Sequence, residues 1–352
     1  MLANGGAEKS AALLSIFFEE NNCNVHHIIV QDLIEYQYAG KVLNLGKLKQ
    51  SEGFNLFDRI FRLWSLIRFF RNNKFDFIID NRVKRNFIQE FIIAKFIFNA
   101  PSIAVIHSFM LNLYFPKNTY LASNFYNHFY KTIAVSNQIE QQVKASFKYS
   151  NTQTIHNPLD YITIEKDSLE EIKYNFKYIL AVGRMNDNVK QFDKLIDCYA
   201  KSVLPKNDIK LVILGDGILK NNYIAFANKL NLDDKIIFEG KVSNPYKYYK
   251  NALFTILCSK NEGFPNVLIE SLACETPIIA FDCKSGPSEI IISNKNGILV
   301  ENQNFEALKN AIDILYTNKN FYLHCKENSK ATVERYAIKN IGNQWLQMMN
   351  II

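Results

Sequence analysis

Two carboxylates eight positions apart, Glu262 and Glu270, stand in the run NEGFPNVLIESLACETPIIAF, with a glycine, a proline and an asparagine between them. The first precedes a helix-like stretch and the second lies about one turn inside it. A carboxylate accepts hydrogen bonds from hydroxyl groups, so two facing one ligand suit a polyhydroxylated partner. Upstream, VGRMNDNVK places Arg184 and Lys190 just past an apolar run. A forked guanidinium and a mobile ammonium arriving together suit a diphosphate, whose charge needs several donors. LGDG adds Gly215 and Gly217 at another strand end, although a lone GxG also describes a plain turn. Each feature alone has an ordinary reading: a helix-surface glutamate, a basic loop, a turn. Taken together, carboxylates for hydroxyls and cations for phosphates describe a nucleotide sugar, with its ribose, diphosphate and hexose.

The surrounding elements must bring these residues to one edge. KYILAVGR, IKLVILGDG, KIIFEG, LFTILCS and PIIAF read as short apolar strands, and QFDKLIDCYAKSV, LKNNYIAFANKLNL, NPYKYYKNA and PNVLIESLACE as the helices between them. On the first of these helices Phe192, Leu195, Ile196 and Tyr199 share one face. Nearly all-apolar strands alternating with helices indicate a parallel sheet covered on both faces. Such sheets bind ligands beyond the carboxyl ends of their strands, where the candidate residues fall. Residues 266–268 then form a helix N-terminus, whose free amides favour an anion.

The first half repeats the theme less cleanly, with a helix in EKSAALLSIFFEE and strands in VHHIIV, FDFIIDN, SIAVIHS and KTIAVS. Pro158 lies in a polar stretch that marks a boundary. The expected fold is α/β, two Rossmann-like doubly wound domains facing a central cleft. Residues 1–160 form an acceptor-binding, membrane-facing domain and 161–332 a nucleotide-sugar-binding domain, with 333–352 a helix crossing back to the first.

At 352 residues, 48% hydrophobic and 21% charged, the chain has globular composition and length for two cores. Its six cysteines contain no CxxC pair, which points to free thiols in a reducing compartment. No apolar run reaches the roughly 18 residues of a membrane span. The apolar residues 11–18 are followed by Glu19 and Glu20, unlike a signal peptide. The expected location is cytoplasmic. The net charge of +7 is uneven: residues 1–157 hold 17 Lys and Arg against 11 Asp and Glu, the remainder 24 against 23. In residues 57–77, Arg59, Arg62, Ser65, Arg68 and Arg71 make one narrow polar stripe among Phe, Leu, Ile and Trp64. That pattern suits either a buried helix or an interfacial one whose arginines meet lipid phosphates. Anionic inner-membrane lipid is therefore the expected partner of this region, with the protein peripheral on the cytoplasmic face. The aromatics are interleaved for burial rather than base stacking, which argues against nucleic acid.

The segments GGAEKS, VGR…K, LGDG, EGFPNVLIESLACETPIIA and SGPSEII occur in an order and at spacings that resemble the GT4 family of retaining glycosyltransferases, which has the GT-B fold. The resemblance spans nearly the whole chain. It is strongest to bacterial enzymes that extend lipid-linked oligosaccharides, lipopolysaccharide or capsule. It implies transfer of a hexose or N-acetylhexosamine from a nucleotide sugar, with UDP the expected nucleotide. Glu270 would hold the ribose and Glu262 the hydroxyls of the transferred sugar. The backbone around Gly263, Phe264, Asn266 and Val267 would meet the diphosphate and sugar. Arg184 and Lys190 would neutralise the leaving diphosphate, Gly5 and Gly6 would form a loop below the reaction centre, and His107 would lie near the donor sugar. Gly215 and Val242 complete the implied donor site. Ser136 and Asn157 match lesser positions and also suit turn caps. Retention is thought to proceed on one face of the sugar, the leaving phosphate assisting the acceptor hydroxyl.

Two departures from the family pattern stand out. The Arg184–Lys190 spacing is one residue longer than usual, and Gln191 stands where glycine is common. No Asp-x-Asp occurs in the chain, so no cofactor and no metal is expected, the cations and helix dipoles taking the metal's place. Other classes compatible with the fold are a nucleotide-sugar epimerase or phosphorylase and a non-catalytic sugar-binding protein. A dinucleotide oxidoreductase fits less well, because no GxGxxG follows a strand. Only four residues precede Gly5, too few for the family's first strand of about five residues plus a turn. The expectation is a chain truncated at its N-terminus.

Overall fold

A computed structural model describes residues 1–3, 5–49, 56–84, 86–147, 149 and 151–352. Asn4, counted above among the residues before Gly5, lies outside them. In chain order the first elements are α1 (Gly6–Glu20), β1 (His26–Ile29), β2 (Lys41–Asn44), α2 (Leu56–Asn72), β3 (Ile78–Asp80), α3 (Phe87–Ile92), β4 (Ser102–Ile106), α4 (Thr119–Tyr126), β5 (Lys131–Ala134), α5 (Asn137–Phe147) and β6 (Thr152–Thr154). Then come α6 (Tyr161–Ser168), β7 (Tyr178–Val182), α7 (Phe192–Lys201), β8 (Lys210–Leu214), α8 (Lys220–Lys229), β9 (Ile236–Gly240), α9 (Tyr246–Asn251) and β10 (Thr255–Leu257). The chain finishes with α10 (Asn266–Ala273), β11 (Ile278–Phe281), α11 (Pro287–Ile290), β12 (Gly297–Val300), α12 (Phe305–Thr317), α13 (Lys319–Ser329) and α14 (Ile338–Met348). Two units result: Met1–Pro158 with Ile338–Ile352, and Leu159–Ala337.

The second unit holds one parallel sheet of six strands in the order β12-β11-β10-β7-β8-β9. Its central strands are apolar on both faces; Ile179, Leu180, Leu211, Val212 and Ile279 are fully buried because helices cover both sides. The face read on α7 is the one that packs: Phe192, Leu195, Ile196 and Tyr199 are buried. Strand order reverses between β7 and β10, which pair through Leu180 and Thr255. At such a reversal the loops leaving the two strands diverge and open a crevice.

In the first unit β3-β4-β5-β6 form a parallel sheet, while β1 and β2 make a separate parallel pair. Residues 1–3 add one bridge: the Leu2 N–H donates to the Leu33 carbonyl, and its own carbonyl accepts from Glu35 and Tyr36. Ile28 of β1 and Ile78 of β3 both pack on Phe70, Ile93 and Ile97, so side chains rather than a ladder connect the two sets. Helix α14 lies on α1. Gly342 sits so close to the Phe17 ring that any side chain there would overlap it, and Ile341, Trp345 and Leu346 are buried alongside. Helix α2 is largely uncovered. Only Asp58 and Phe70 are buried, while Phe57 is 81% exposed, Ile60 56% and Trp64 52%.

Strands β2, β6 and β12 escaped the sequence reading. KVLN and TQT carry little apolar alternation, and GILV is short and follows a turn, so local pattern does not mark them.

Candidate active site

The loop after β7 carries Arg184 and Lys190, and the loop after β10 carries Glu262. The strand-order reversal brings these loops together: the Lys260 N–H donates to the Val189 carbonyl at 2.9 Å. Lys190 Nζ then lies 2.5 Å from Glu262 Oε1, with the two side chains 18% and 14% exposed. Gly183 makes this possible, since a side chain there would press on Lys190 Cγ. Glu262 is held by its backbone: its N–H donates to the Lys284 carbonyl at 2.7 Å, and its carbonyl accepts from the Ser285 N–H at 3.3 Å. The Ser285 hydroxyl donates to the Gly263 carbonyl at 2.8 Å. Phe264 is buried edge-on against Tyr336.

Helix α10 starts at Asn266, with Pro265 before it and no side-chain cap on its first amides. Val267 is partly buried, and Leu268 and Ile269 fix the helix in the core. Glu270, one turn in, is 6% exposed, and its Oε2 accepts from the Tyr249 hydroxyl at 3.3 Å.

Arg184 is exposed, with no partner among the described residues. Gln191 adopts a left-handed backbone, φ 52° and ψ 43°, as it leads into α7. Glycine enters that region without cost, whereas another residue costs about 1 kcal/mol, so the departure noted above carries that cost. Gly215, at φ 131°, lies against the Gly183 carbonyl, where a side chain would collide. It lets the loops after β7 and β8 meet, with the Met185 N–H donating to the Asp216 carbonyl at 2.9 Å. Val242 is partly buried in the turn after β9.

The remaining candidates belong to the first unit. Gly5 precedes α1 and Gly6 begins it. Ser136 is buried, and its hydroxyl accepts from the Ile139 N–H, the cap role left open for it. Asn157 is buried beside a small cavity that His107, Ser10 and Trp345 also line. His107 Nε2 lies 2.9 Å from Asn81 Oδ1, and its buried Nδ1 has no hydrogen-bond partner among the described residues. Burial holds its pKa down at about 4, so the ring is neutral at physiological pH.

Three groups escaped the sequence reading: Tyr249 behind Glu270, Asn81 beside His107, and a buried ion network at the end of β3. There Asp80 accepts from Arg82 Nε at 2.9 Å and Lys84 Nζ at 2.6 Å, and Arg82 reaches Glu90 at 2.8 Å. Burial pushes the Asp80 carboxyl up, but the two cations outweigh it and hold it far below the usual range. The clue in the sequence was DNRVK, opposite charges immediately after a strand. Among the described residues no three His, Cys, Asp or Glu converge as a metal site, and no helix is long and apolar enough to cross a membrane.

Two Rossmann-like units with these loops define the class: the chain is a GT-B glycosyltransferase and belongs to the family described as glycosyl transferases group 1, whose model matches residues 164–332. It is 30% identical to the N-acetylgalactosamine-N,N'-diacetylbacillosaminyl-diphospho-undecaprenol 4-alpha-N-acetylgalactosaminyltransferase of Campylobacter jejuni, covering 94% of this chain and 93% of the relative. A glycosyltransferase of Rickettsia africae shares the fold with a TM-score of 0.78 at 19% identity, over 99% of this chain and 95% of the other. Anabaena HepE, solved in complex with UDP-glucose, does so with a TM-score of 0.76 at 17% identity, over 100% and 98%. The GT-B fold and the glycosyltransferase class expected from the sequence motifs are the ones found.

Proposed function

We propose that this protein is a GT4-type retaining glycosyltransferase. It moves a hexose or N-acetylhexosamine from a UDP-sugar to a lipid-linked, lipopolysaccharide or capsule glycan, at the cytoplasmic face of an anionic membrane. The observation that carries this reading is the meeting of Lys190 and Glu262 at the strand-order reversal, with Glu270 one turn into the next helix. The Campylobacter relative is named for a diphospho-undecaprenol acceptor, and HepE was solved with UDP-glucose; both support the substrate classes.

In this reading Glu270 accepts hydrogen bonds from the ribose, and the backbone of Gly263, Phe264, Asn266 and Val267 meets the diphosphate and sugar. Glu262 accepts from hydroxyls of the transferred sugar, and the family resemblance gives His107 and the Gly5–Gly6 loop roles toward the donor sugar as well. The bond from the anomeric carbon to the phosphate oxygen breaks, and the acceptor oxygen bonds that carbon on the same face. The acceptor proton passes to the departing phosphate. Lys190 and Arg184 offset the charge that develops on the diphosphate, the work a metal does in other transferases. Helix α2 fits the membrane role: exposed Phe57, Ile60, Phe61 and Trp64 stand among Arg59, Arg68 and Arg71.

The direct test offers purified protein UDP-glucose, UDP-galactose and their N-acetylamino forms, with polyprenyl-diphosphate-linked glycans as acceptors. Retention predicts an α-linked product by NMR from these α-linked donors. A β-linked product overturns retention, and turnover only with a purine-nucleotide sugar overturns the UDP assignment.

A further inference from the structure

The carboxylate of Glu270 has a second residue behind it that no motif indicates. Tyr249 lies on α9, fully buried, with its hydroxyl donating to Glu270 Oε2 at 3.3 Å. A phenol removed from water needs a partner, and a nearly buried carboxylate needs donors. Burial, and then the Glu270 charge, raise the Tyr249 pKa well above its ordinary value, so the hydroxyl keeps its proton. The residue is also anchored at its backbone, because the Thr276 hydroxyl donates to the Tyr249 carbonyl at 2.6 Å. Thr276 is itself tied to α10, its carbonyl lying 3.0 Å from the Ser271 hydroxyl. Helix α9 follows the turn that carries Val242, so Tyr249 stitches that segment to the helix bearing Glu270.

We propose that Tyr249 is a positioning residue for the donor nucleotide: its hydroxyl fixes the plane of the Glu270 carboxylate and so sets how well that group discriminates for ribose hydroxyls. The proposal rests on the reading of Glu270 as the ribose acceptor. Without that donor the carboxylate would still carry its charge but would lose one of the contacts that set its plane. The loss then falls on ligands that possess the hydroxyls and spares those that lack them.

The test compares UDP with 2′,3′-dideoxy-UDP by isothermal titration on the full-length protein, its Tyr249→Phe variant and its Glu270→Ala variant. Tyr249→Phe keeps the ring and removes only the donor. It should weaken UDP binding about three- to ten-fold while dideoxy-UDP binding and kcat at saturating donor stay unchanged. Glu270→Ala should erase the preference for UDP over its dideoxy form. If Glu270→Ala erases it and Tyr249→Phe retains it in full, the Glu270 reading stands and the role of Tyr249 falls. Equal weakening of both ligands by Tyr249→Phe marks structural damage and also overturns the proposal. A wild-type protein without any such preference overturns the Glu270 reading, and the proposal with it.

Discussion

Lys190 Nζ lies 2.5 Å from Glu262 Oε1, although the two residues follow different strands, β7 and β10. Both side chains are mostly shielded from water, so each compensates a charge the other would otherwise leave uncovered. In the proposed function a nucleotide sugar takes this pair apart. The exchange is balanced only if the diphosphate receives the ammonium and a sugar hydroxyl receives the carboxylate.

Glu262→Gln separates those two roles. Transfer should fall by about 10²-fold or more, while UDP binds as well as before or tighter, because Lys190 is released. Lys190→Ala should weaken UDP and leave uridine unaffected. Near-normal turnover in Glu262→Gln at saturating donor would sink the assignment.

Arg184 projects into solvent and has no partner among the described residues, so removing it should not disturb the fold. Arg184→Ala is expected to keep its melting temperature and lose about 10²-fold in kcat. A comparable drop in melting temperature would instead make it a structural residue.

Activity should survive chelation. Turnover measured in excess EDTA, after dialysis against chelator, is expected to match the untreated enzyme. Strong loss restored by Mn²⁺ or Mg²⁺ would show that Arg184 and Lys190 do not suffice.

Membrane binding should have an optical signature. Of the two tryptophans, Trp345 is buried and Trp64 is 52% exposed, so a blue shift on adding anionic vesicles reports Trp64. Flotation with those vesicles should weaken steeply with salt and in an Arg59→Glu, Arg68→Glu variant, each charge contributing about 1 kcal/mol. Flotation that survives both changes would leave α2 without a lipid role.

His107 makes stability depend on pH. Burial holds its pKa at about 4, below the 6.5 of an unperturbed histidine. The unfolded chain therefore takes up the proton first. This contribution to stability is fully present above pH 6.5 and is lost as pH falls through that window toward 4. The ceiling is about 3 kcal/mol. His107→Asn should flatten urea midpoints across the window relative to wild type, and a constant difference between the two proteins would refute the shift.

What the sequence determined by itself was local. Alternating apolar runs and helical faces mark β7 to β11 and α7 to α10, because burial on a covered sheet demands those patterns. The Glu262–Glu270 spacing places one carboxylate before α10 and one inside it, which helical geometry alone dictates. Only the tertiary structure decided which loops meet. Nothing in VGRMNDNVK says that its strand pairs with LFTILC, since partners far apart in sequence are chosen by the packing of whole layers. That pairing joins Lys190 to Glu262. The same dependence hid Tyr249 behind Glu270 and Asn81 beside His107, contacts between side chains on separate elements. It also divided the first unit's strands into two sets, because ladder hydrogen bonds need a neighbouring backbone that no local pattern can supply.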